Sequence, residues 1–427
     1  MARRFFDYHF KPFFILGVVI FLSLFTEESM AAGNIHIESL KIMPSLIVTR
    51  EYSDNYFPRD FKIVTDKNGQ EKTVKIVTAA SVIRTIPSLT LSLPFRENSF
   101  ELIYRFRSVD FQDQDLNRFD TKSHFIQSKL KWHFISGFTT EIKDTLQYAE
   151  NIPSYTRDIV RQYRDNTVRI LTSYELGRRY ISELEFEKYD LRYNQNQFKP
   201  DNLNNTTIKS RVLYQIMPKT YIGLELDHER YERKDQPGED QDYTAQFYLV
   251  NIKFDDPDGR LKGQLSAGTE DIVYDDEALN TGGNFFAFSA DLAFKKSKYT
   301  TIIFSGRRIQ SNTSLNTSDA FYGSSFTNTM LSLGLQHKFT YKISGRIDFA
   351  YSDLQFSNKG ATTTGGITES FNEQRKDIVK GWSGELNYQM RDWIGFRVGY
   401  SYTDDKSNIS IESYKRKLFT TEISFKF

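Results

Sequence analysis

Apolar and polar side chains alternate with a period of two in segment after segment of this chain. "SFELIYRFRS" puts Phe100, Leu102, Tyr104 and Phe106 on one face of an extended strand and Glu101, Arg105 and Arg107 on the other. "HFIQSKLKWHF" sets Ile126, Leu130, Trp132 and Phe134 against Gln127, Lys129, Lys131 and His133, and "TYIGLELDHE" sets Ile222, Leu224 and Leu226 against Glu225, Asp227 and Glu229. In "NFFAFSADLAF" Phe286, Phe288, Leu292 and Phe294 oppose Ser289 and Asp291; in "WIGFRVGYSY" Ile394, Phe396, Val398, Tyr400 and Tyr402 oppose Gly395, Arg397, Gly399 and Ser401. The rhythm persists to the last residue, where Thr421, Ile423, Phe425 and Phe427 share one face and Thr420, Glu422, Ser424 and Lys426 the other. No helical period competes with it.

The connections between these segments fall into two kinds that take turns. Short ones include Ser136 to Gly137, Gly177 to Arg179, Met217 to Lys219, Asp255 to Arg260, Lys295 to Lys298, Thr340 to Tyr341 and Met390 to Asp392. Long polar ones include Asp54 to Lys72, Asn194 to Asn205, Arg233 to Gln241, Ser311 to Ser325 and Ser357 to Gln374. That sorting predicts a transmembrane antiparallel up-and-down β-barrel, with short periplasmic turns and long extracellular loops. Strand starts near Lys41, Ala79, Ser99, Thr121, Phe138, Asn166, Tyr180, Thr206, Thr220, Asp242, Arg260, Gly283, Tyr299, Thr327, Lys342, Asp377, Trp393 and Arg416 give about 18 strands, with 16 as the alternative. Hydrocarbon offers no hydrogen-bond partner to a free sheet edge, so the last strand is expected to pair with the first. Trp132, Phe134, Phe138, Phe339, Tyr388 and Trp393 fall beside the short turns, as an inner-rim aromatic belt would. Asp144 breaks the pattern, because its parity with Phe138 and Ile142 turns it to lipid; a bulge or a place near the outer rim is expected there.

Composition sharpens this picture. The chain has 36 Phe and 25 Tyr, no Cys and 10 Pro, an excess of strand-forming aromatics in a protein without disulfides. A balance of 56 basic against 55 acidic residues excludes a generic nucleic-acid binder, and none is expected as a partner. The opening "MARRFFDYHFKPFFILGVVIFLSLFTEESMAAG" has Arg3, Arg4 and Lys11 before an apolar run from Phe13 to Phe25, then small residues at Ser29 to Ala31. This is the build of a signal peptide over 1–31, exported by the Sec route despite a faint twin-arginine look. The run is shorter than the roughly 20 residues a spanning helix needs, and no cysteine is present for lipid attachment. A short periplasmic segment, 32–40, and the barrel, 41–427, are expected to follow, in the bacterial outer membrane. No plug-sized segment precedes the first strand, which argues against an energised receptor for iron chelates.

The polar face carries the candidate chemistry. Basic side chains group early, at Arg105, Arg107, Lys129, Lys131, Lys143 and Arg169; acidic ones group later, at Glu183, Glu185, Glu187, Glu225, Asp227 and Glu229. If both groups face a lumen on opposite walls, a transverse field crosses a water-filled pore and orients polyhydroxylated or dipolar solutes. The alternative is that these residues pair with each other and fill the barrel. Ile423, Phe425 and the terminal Phe427 are similar to the C-terminal signal read by the outer-membrane assembly machinery. Histidines at 36, 124, 133, 228 and 337 are scattered and accompany no nucleophile motif, so no catalysis is expected, and no cofactor or metal. Asp255 opens a tight turn rather than a calcium loop. The acidic stretches "YDDEALN" and "YTDDKSN" read as loops that could hold divalent cations bridging lipopolysaccharide.

"MPSLIVTREYSDNYF", Met43 to Phe57, and "WIGFRVGYSYTDDKSNISIESYKRKLFTTEISFKF", Trp393 to Phe427, resemble the first strand and last hairpin of the putative β-barrel porin type 2 family. The resemblance implies an outer-membrane channel associated with exopolysaccharide production and export, and it brings no catalytic residues. The long connection from Asp54 departs from the shorter turn such a barrel has there. Two functions follow. One is a porin-like channel for hydrophilic solutes, sugars or exopolysaccharide-related oligosaccharides among them; the other is a structural or adhesive barrel with a closed lumen whose loops bind polysaccharide or a partner. Outer-membrane lipid and lipopolysaccharide surround it in either case.

Overall fold

The computed structural model describes residues 35–37, 39–57, 61–65, 71–151, 160–177, 179–234, 242–255, 259–275, 284–312, 325–364, 367–409 and 412–427; the expected leader lies outside them. In chain order the strands are β1 (Ile35–Ile37), β2 (Leu40–Ser53), β3 (Phe61–Thr65), β4 (Glu71–Lys75), β5 (Ala80–Phe95), β6 (Asn98–Phe111) and β7 (Thr121–His133). There follow β8 (Phe138–Asn151), β9 (Arg161–Leu176), β10 (Tyr180–Tyr193), β11 (Leu203–Met217), β12 (Thr220–Arg233), β13 (Tyr243–Asp255) and β14 (Leu261–Tyr274). The last seven are β15 (Asn284–Lys295), β16 (Thr300–Asn312), β17 (Ser325–Lys338), β18 (Ile343–Thr364), β19 (Ile367–Arg391), β20 (Ile394–Ser407) and β21 (Tyr414–Lys426).

Each strand from β5 onward pairs antiparallel with its chain neighbour, β2 pairs with β5, and β21 returns to pair with β2, so β2 and β5–β21 close into a barrel of eighteen strands. The seam runs from Ser45 opposite Lys426 to Ser53 opposite Leu418, nine pairs in all. At the short-turn end Phe427 donates its backbone N–H to the Pro44 carbonyl at 2.9 Å. Trp393, Phe425 and Phe427 stack there in sequence, 6.5 and 6.3 Å apart between ring centres. The short turns rely on left-handed residues where two strands must reverse tightly: Arg96, Gly137, Gly177 and Lys219 all have positive φ.

The outward face is apolar because it meets lipid. Leu184, Val212, Leu224, Leu226, Val250, Phe286, Leu333, Phe349 and Leu386 are each at least half exposed, an arrangement water would not tolerate over so many adjacent strands. A 14-residue strand is about 46 Å long; tilted by about 40° it rises about 35 Å, of which an apolar band of about 25 Å uses some ten residues. The remaining residues project past the membrane at the long-loop end. Asp144 keeps its lipid-facing parity with no bulge on either side of β8, and its Oδ1 accepts a bond of 2.8 Å from Asn166 Nδ2 on β9. A neighbouring amide, and not a register shift, accommodates the charge.

Several boundaries differ from expectation at the long-loop end. The connection after Asp54 holds the β3–β4 hairpin, and the expected loop from Ser357 to Gln374 is largely strand, since β18 runs to Thr364 and β19 starts at Ile367. The "YTDDKSN" stretch lies mostly within β20, where alternation sends Asp404 outward and Asp405 inward. These carboxylates cannot share one cation. Among the described residues no group of three or more His, Asp or Glu is placed to hold a metal. Most of "YDDEALN" lies outside the described residues.

Candidate functional site

The lumen is the polar surface that the closed sheet encloses among the described residues, and alternation delivers its side chains one strand at a time. Cross-strand register sets Glu183 (β10), Arg211 (β11) and Glu225 (β12) in one row. Arg211 donates from Nη1 to Glu183 at 2.6 Å and from Nε to Glu225 at 2.8 Å. Lys253 on β13 donates to the other oxygen of Glu183 at 3.2 Å. Asn251 donates to Glu225 and to Ser266, both at 2.8 Å. Glu229 accepts from Asn205 at 2.9 Å and from the Tyr243 hydroxyl at 3.1 Å, while Lys209 stands 3.8 Å from Asp227. A planar guanidinium can serve two carboxylates at once, which an ammonium does less well.

This arrangement corrects the expectation of opposite walls. β6 to β9, which carry Arg105, Arg107, Lys129, Lys131, Lys143 and Arg169, are followed directly round the barrel by β10 and β12, which carry the acids. The two groups form one arc, and they touch: Arg169 donates to Glu185 at 2.6 Å. Lys129 pairs with Glu141 at 3.0 Å, and Arg105 lies 5.0 Å over the Phe125 ring. Among the described residues Arg107, Lys131, Lys143 and Glu187 make no ion pair. Lys209, Arg211 and Lys253 were missed in the sequence although they are lumen partners of the acids. Their parity against Ile208, Val212, Val250 and Ile252 was the available signal.

The other arc, β15 to β21, carries small residues at mid-height and a charged row of its own toward the short-turn end, where Arg346 pairs with Asp348 at 2.7 Å and Arg397 reaches Glu385 at 3.7 Å and Glu422 on the next strand. Ser289, Ser305, Ser332, Ser352, Gly381 and Thr403 border a cavity of about 490 Å³. Ser305 and Ser332 share a hydrogen bond of 2.6 Å, and Ser352 donates to Asn328 at 2.9 Å. Long charged side chains, Asp291 and Arg307 at this cavity among them, therefore reach inward from both arcs, and the small residues leave room for solvent and solute between them.

At the long-loop end, segments fold back onto the lumen face. Phe57 and Phe119 cover Val82 and Phe111, which leaves Val82 fully buried. Phe356 and Ile409 form a second cluster, with Arg375 lying 4.5 Å over the Phe356 ring. Arg375 is itself fully buried; it donates to Asp377 at 3.0 Å and stands 3.3 Å from Glu412. Arg161 repeats the device, 4.5 Å over Phe198 and 3.6 Å from Asp201. Just beyond β14, Arg230 clamps Asp275 through two bonds of 2.6 and 2.8 Å, and its guanidinium holds that carboxyl below the usual carboxylate range. Three histidines serve structural bonds: His124 meets the Tyr104 hydroxyl, His133 meets Thr139 and His337 meets Thr300, each at 2.9 Å.

A closed antiparallel barrel with an apolar outer band, an aromatic rim and a polar interior is an outer-membrane β-barrel protein, and the chain lies in the bacterial outer membrane. It belongs to the family described as Putative beta-barrel porin 2, whose model matches residues 180–427. That span includes the closing segment from Trp393 and begins well after the Met43 to Phe57 stretch. No curated protein matches the chain in sequence. Among solved structures it is similar to the siderophore receptor PirA of Pseudomonas aeruginosa, at 12% identity and a TM-score of 0.46 over 90% of this chain and 80% of that one. It is also similar to the FrpB iron transporter of Neisseria meningitidis, at 8% identity and a TM-score of 0.48 over 85% and 62%. A bacterial polysaccharide outer membrane secretin is similar at 9% identity and a TM-score of 0.39, over 92% of this chain and all of that one. None of these three carries a functional argument for this chain.

Proposed function

We propose that the barrel is a porin-like channel for hydrophilic solutes, with sugars and exopolysaccharide-related oligosaccharides as the class it fits. The observation that carries this reading is a closed eighteen-strand barrel whose inward face bears charged rows on both arcs, with a cavity between small residues on β15–β20. A barrel of eighteen strands is wide enough for an aqueous channel, and Ser, Gly and Thr along β15–β21 do not fill it. Polyhydroxylated solutes would exchange hydrogen bonds with the serine and threonine hydroxyls and with the carboxylates and guanidinium groups around them. Family membership agrees with a channel. The inward-packed segments at Phe57, Phe119 and Phe356 favour the second reading, a lumen shut at its outer mouth. Single-channel recording in planar bilayers separates the two: large, stable currents support the first, and silence over repeated insertions refutes it. Swelling of proteoliposomes in saccharides of increasing length then sets the size limit.

A further inference from the structure

Above the lipid band, the outward face at the seam differs from that of β8–β12. Lys380 on β19, Lys406 on β20, Lys415 and Lys417 on β21 and Arg50 on β2 all point outward and are exposed. Each lies some eight to twelve residues from the short-turn end of its strand. At about 3.3 Å per residue and a tilt of about 40°, that is about 20–30 Å above the inner rim, the level at which a band of about 25 Å gives way to headgroups. Trp382, Tyr52 and Phe419, all well exposed, mark the same boundary.

Register ties the cations together. Lys380 and Lys415 both stand opposite Asp404, Lys417 stands opposite Tyr402, and Arg50 lies opposite Thr421, two positions from Phe419. Among the described residues none of the five makes an ion pair; Asp404 stands between them on the same face, and Asp54 at its edge accepts the Lys417 backbone N–H at 2.7 Å. On β8–β12 the matching level is mixed, because Glu150, Asp190 and Glu232 stand among Arg164, Lys188, Arg192 and Arg230, with Asp190 paired to Arg192 and Glu232 to Arg230. Five unpaired cations on four adjacent strands repel one another, so their arrangement stabilises the barrel only when an anion lies against them.

We propose that this patch binds the phosphate groups of a phosphorylated, multiply acylated glycolipid of the outer leaflet, with its acyl chains against Trp382, Phe419 and Ile423. The site bridges β19 to β2, across the seam that closes the barrel. Basic clusters next to the hydrocarbon boundary attract anionic headgroups with a strength that grows with each cation. A molecule with several phosphates answers several cations at once, whereas a single-phosphate lipid answers one or two.

The test uses the full barrel in detergent with diphosphorylated lipid A as the probe, beside phosphate-free lipid A and phosphatidylglycerol, and a variant carrying R50Q, K380Q, K406Q, K415Q and K417Q. Wild type is expected to retain diphosphorylated lipid A by native mass spectrometry at least tenfold better than either control lipid, and the variant to lose that advantage. An R164Q/K188Q/R192Q variant, altered on the mixed arc, should keep it. Should the five-site variant fail to assemble, the wild type alone decides: raising salt from 50 to 500 mM must release the lipid. Equal retention by the five-site variant, equal binding of the phosphate-free lipid or of phosphatidylglycerol, or binding insensitive to salt would each overturn the proposal.

Discussion

Replacing Arg211 by methionine tests the charged arc most directly. The guanidinium is 16% exposed and holds Glu183 and Glu225, which are 10% and 6% exposed, so its removal strands two carboxylates in a poorly solvated wall. Breaking a buried pair by deleting one partner costs about 3–5 kcal/mol. Lys253 still reaches Glu183 and Asn251 still reaches Glu225, which places the expected loss near the lower end, about 3 kcal/mol, or roughly 150-fold in the folding equilibrium. R211K should lose about 1–2 kcal/mol, because one ammonium cannot serve both carboxylates with the same fork. Adding E183Q and E225Q to R211M should recover most of the loss, since the stranded charges are gone. Urea unfolding in lipid vesicles, followed by the fluorescence of the chain's three tryptophans, Trp132, Trp382 and Trp393, measures all four proteins. In the same preparations R211M should move the reversal potential under a salt gradient toward cations. If R211M unfolds within 1 kcal/mol of wild type, or the triple variant is no more stable than R211M, the network does not hold this wall.

Four further outcomes are expected. D144L should stabilise the barrel by about 1–2 kcal/mol by removing a lipid-facing charge, and N166L should destabilise it by about 1–3 kcal/mol by leaving Asp144 unbonded; both are read by the same unfolding assay. S332W/S352W, which fills the cavity between the small residues of β15–β20, should cut single-channel conductance to less than half while leaving the heat-dependent gel mobility of the folded barrel intact. Deleting Phe427 should lower the folded fraction recovered from outer membranes, as seen by that mobility shift, because the stack on Phe425 and the bond to Pro44 are lost together. The Asp275 carboxyl should titrate below an ordinary aspartate by carbon-detected NMR and return upward in R230Q; the stability its pairing contributes is present above the ordinary aspartate pKa and is lost as pH falls through the depressed folded value.

Period-two alternation made most of the architecture legible, because lipid imposes one demand on every second residue of every strand. The predicted starts at Thr121, Phe138, Tyr180 and Thr220 coincide with the observed ones, and most others lie within two residues. The larger misses, at Arg161, Leu203 and Ile367, sit at the long-loop end, where the strands have left the membrane and that demand has lapsed. There β18 and β19 continue as a polar hairpin whose composition reads as loop. The lumen was less legible. Parity identified which face Glu183 or Lys129 occupies, but a row such as Glu183–Arg211–Glu225 depends on register, which single-segment patterns do not contain. In an up-and-down sheet, chain order is spatial order, so the idea of opposite walls failed on connectivity that was already visible. Arg161 and Arg375 could not have been singled out, since their partners Asp201 and Glu412 come from other connections.

The seam has a consequence for how this molecule comes into being. Sixteen of the eighteen barrel pairings join consecutive strands and another spans only the β3–β4 hairpin, whereas the last brings together residues such as Thr49 and Glu422, 373 positions apart along the chain. Drawing the ends of an unstructured chain of that length together would cost about 5 kcal/mol in entropy. Every hairpin that zips shortens the remaining gap, so the ring becomes cheap to complete only once nearly all its staves are upright, and until then two raw edges need a chaperoning surface to keep them from foreign partners.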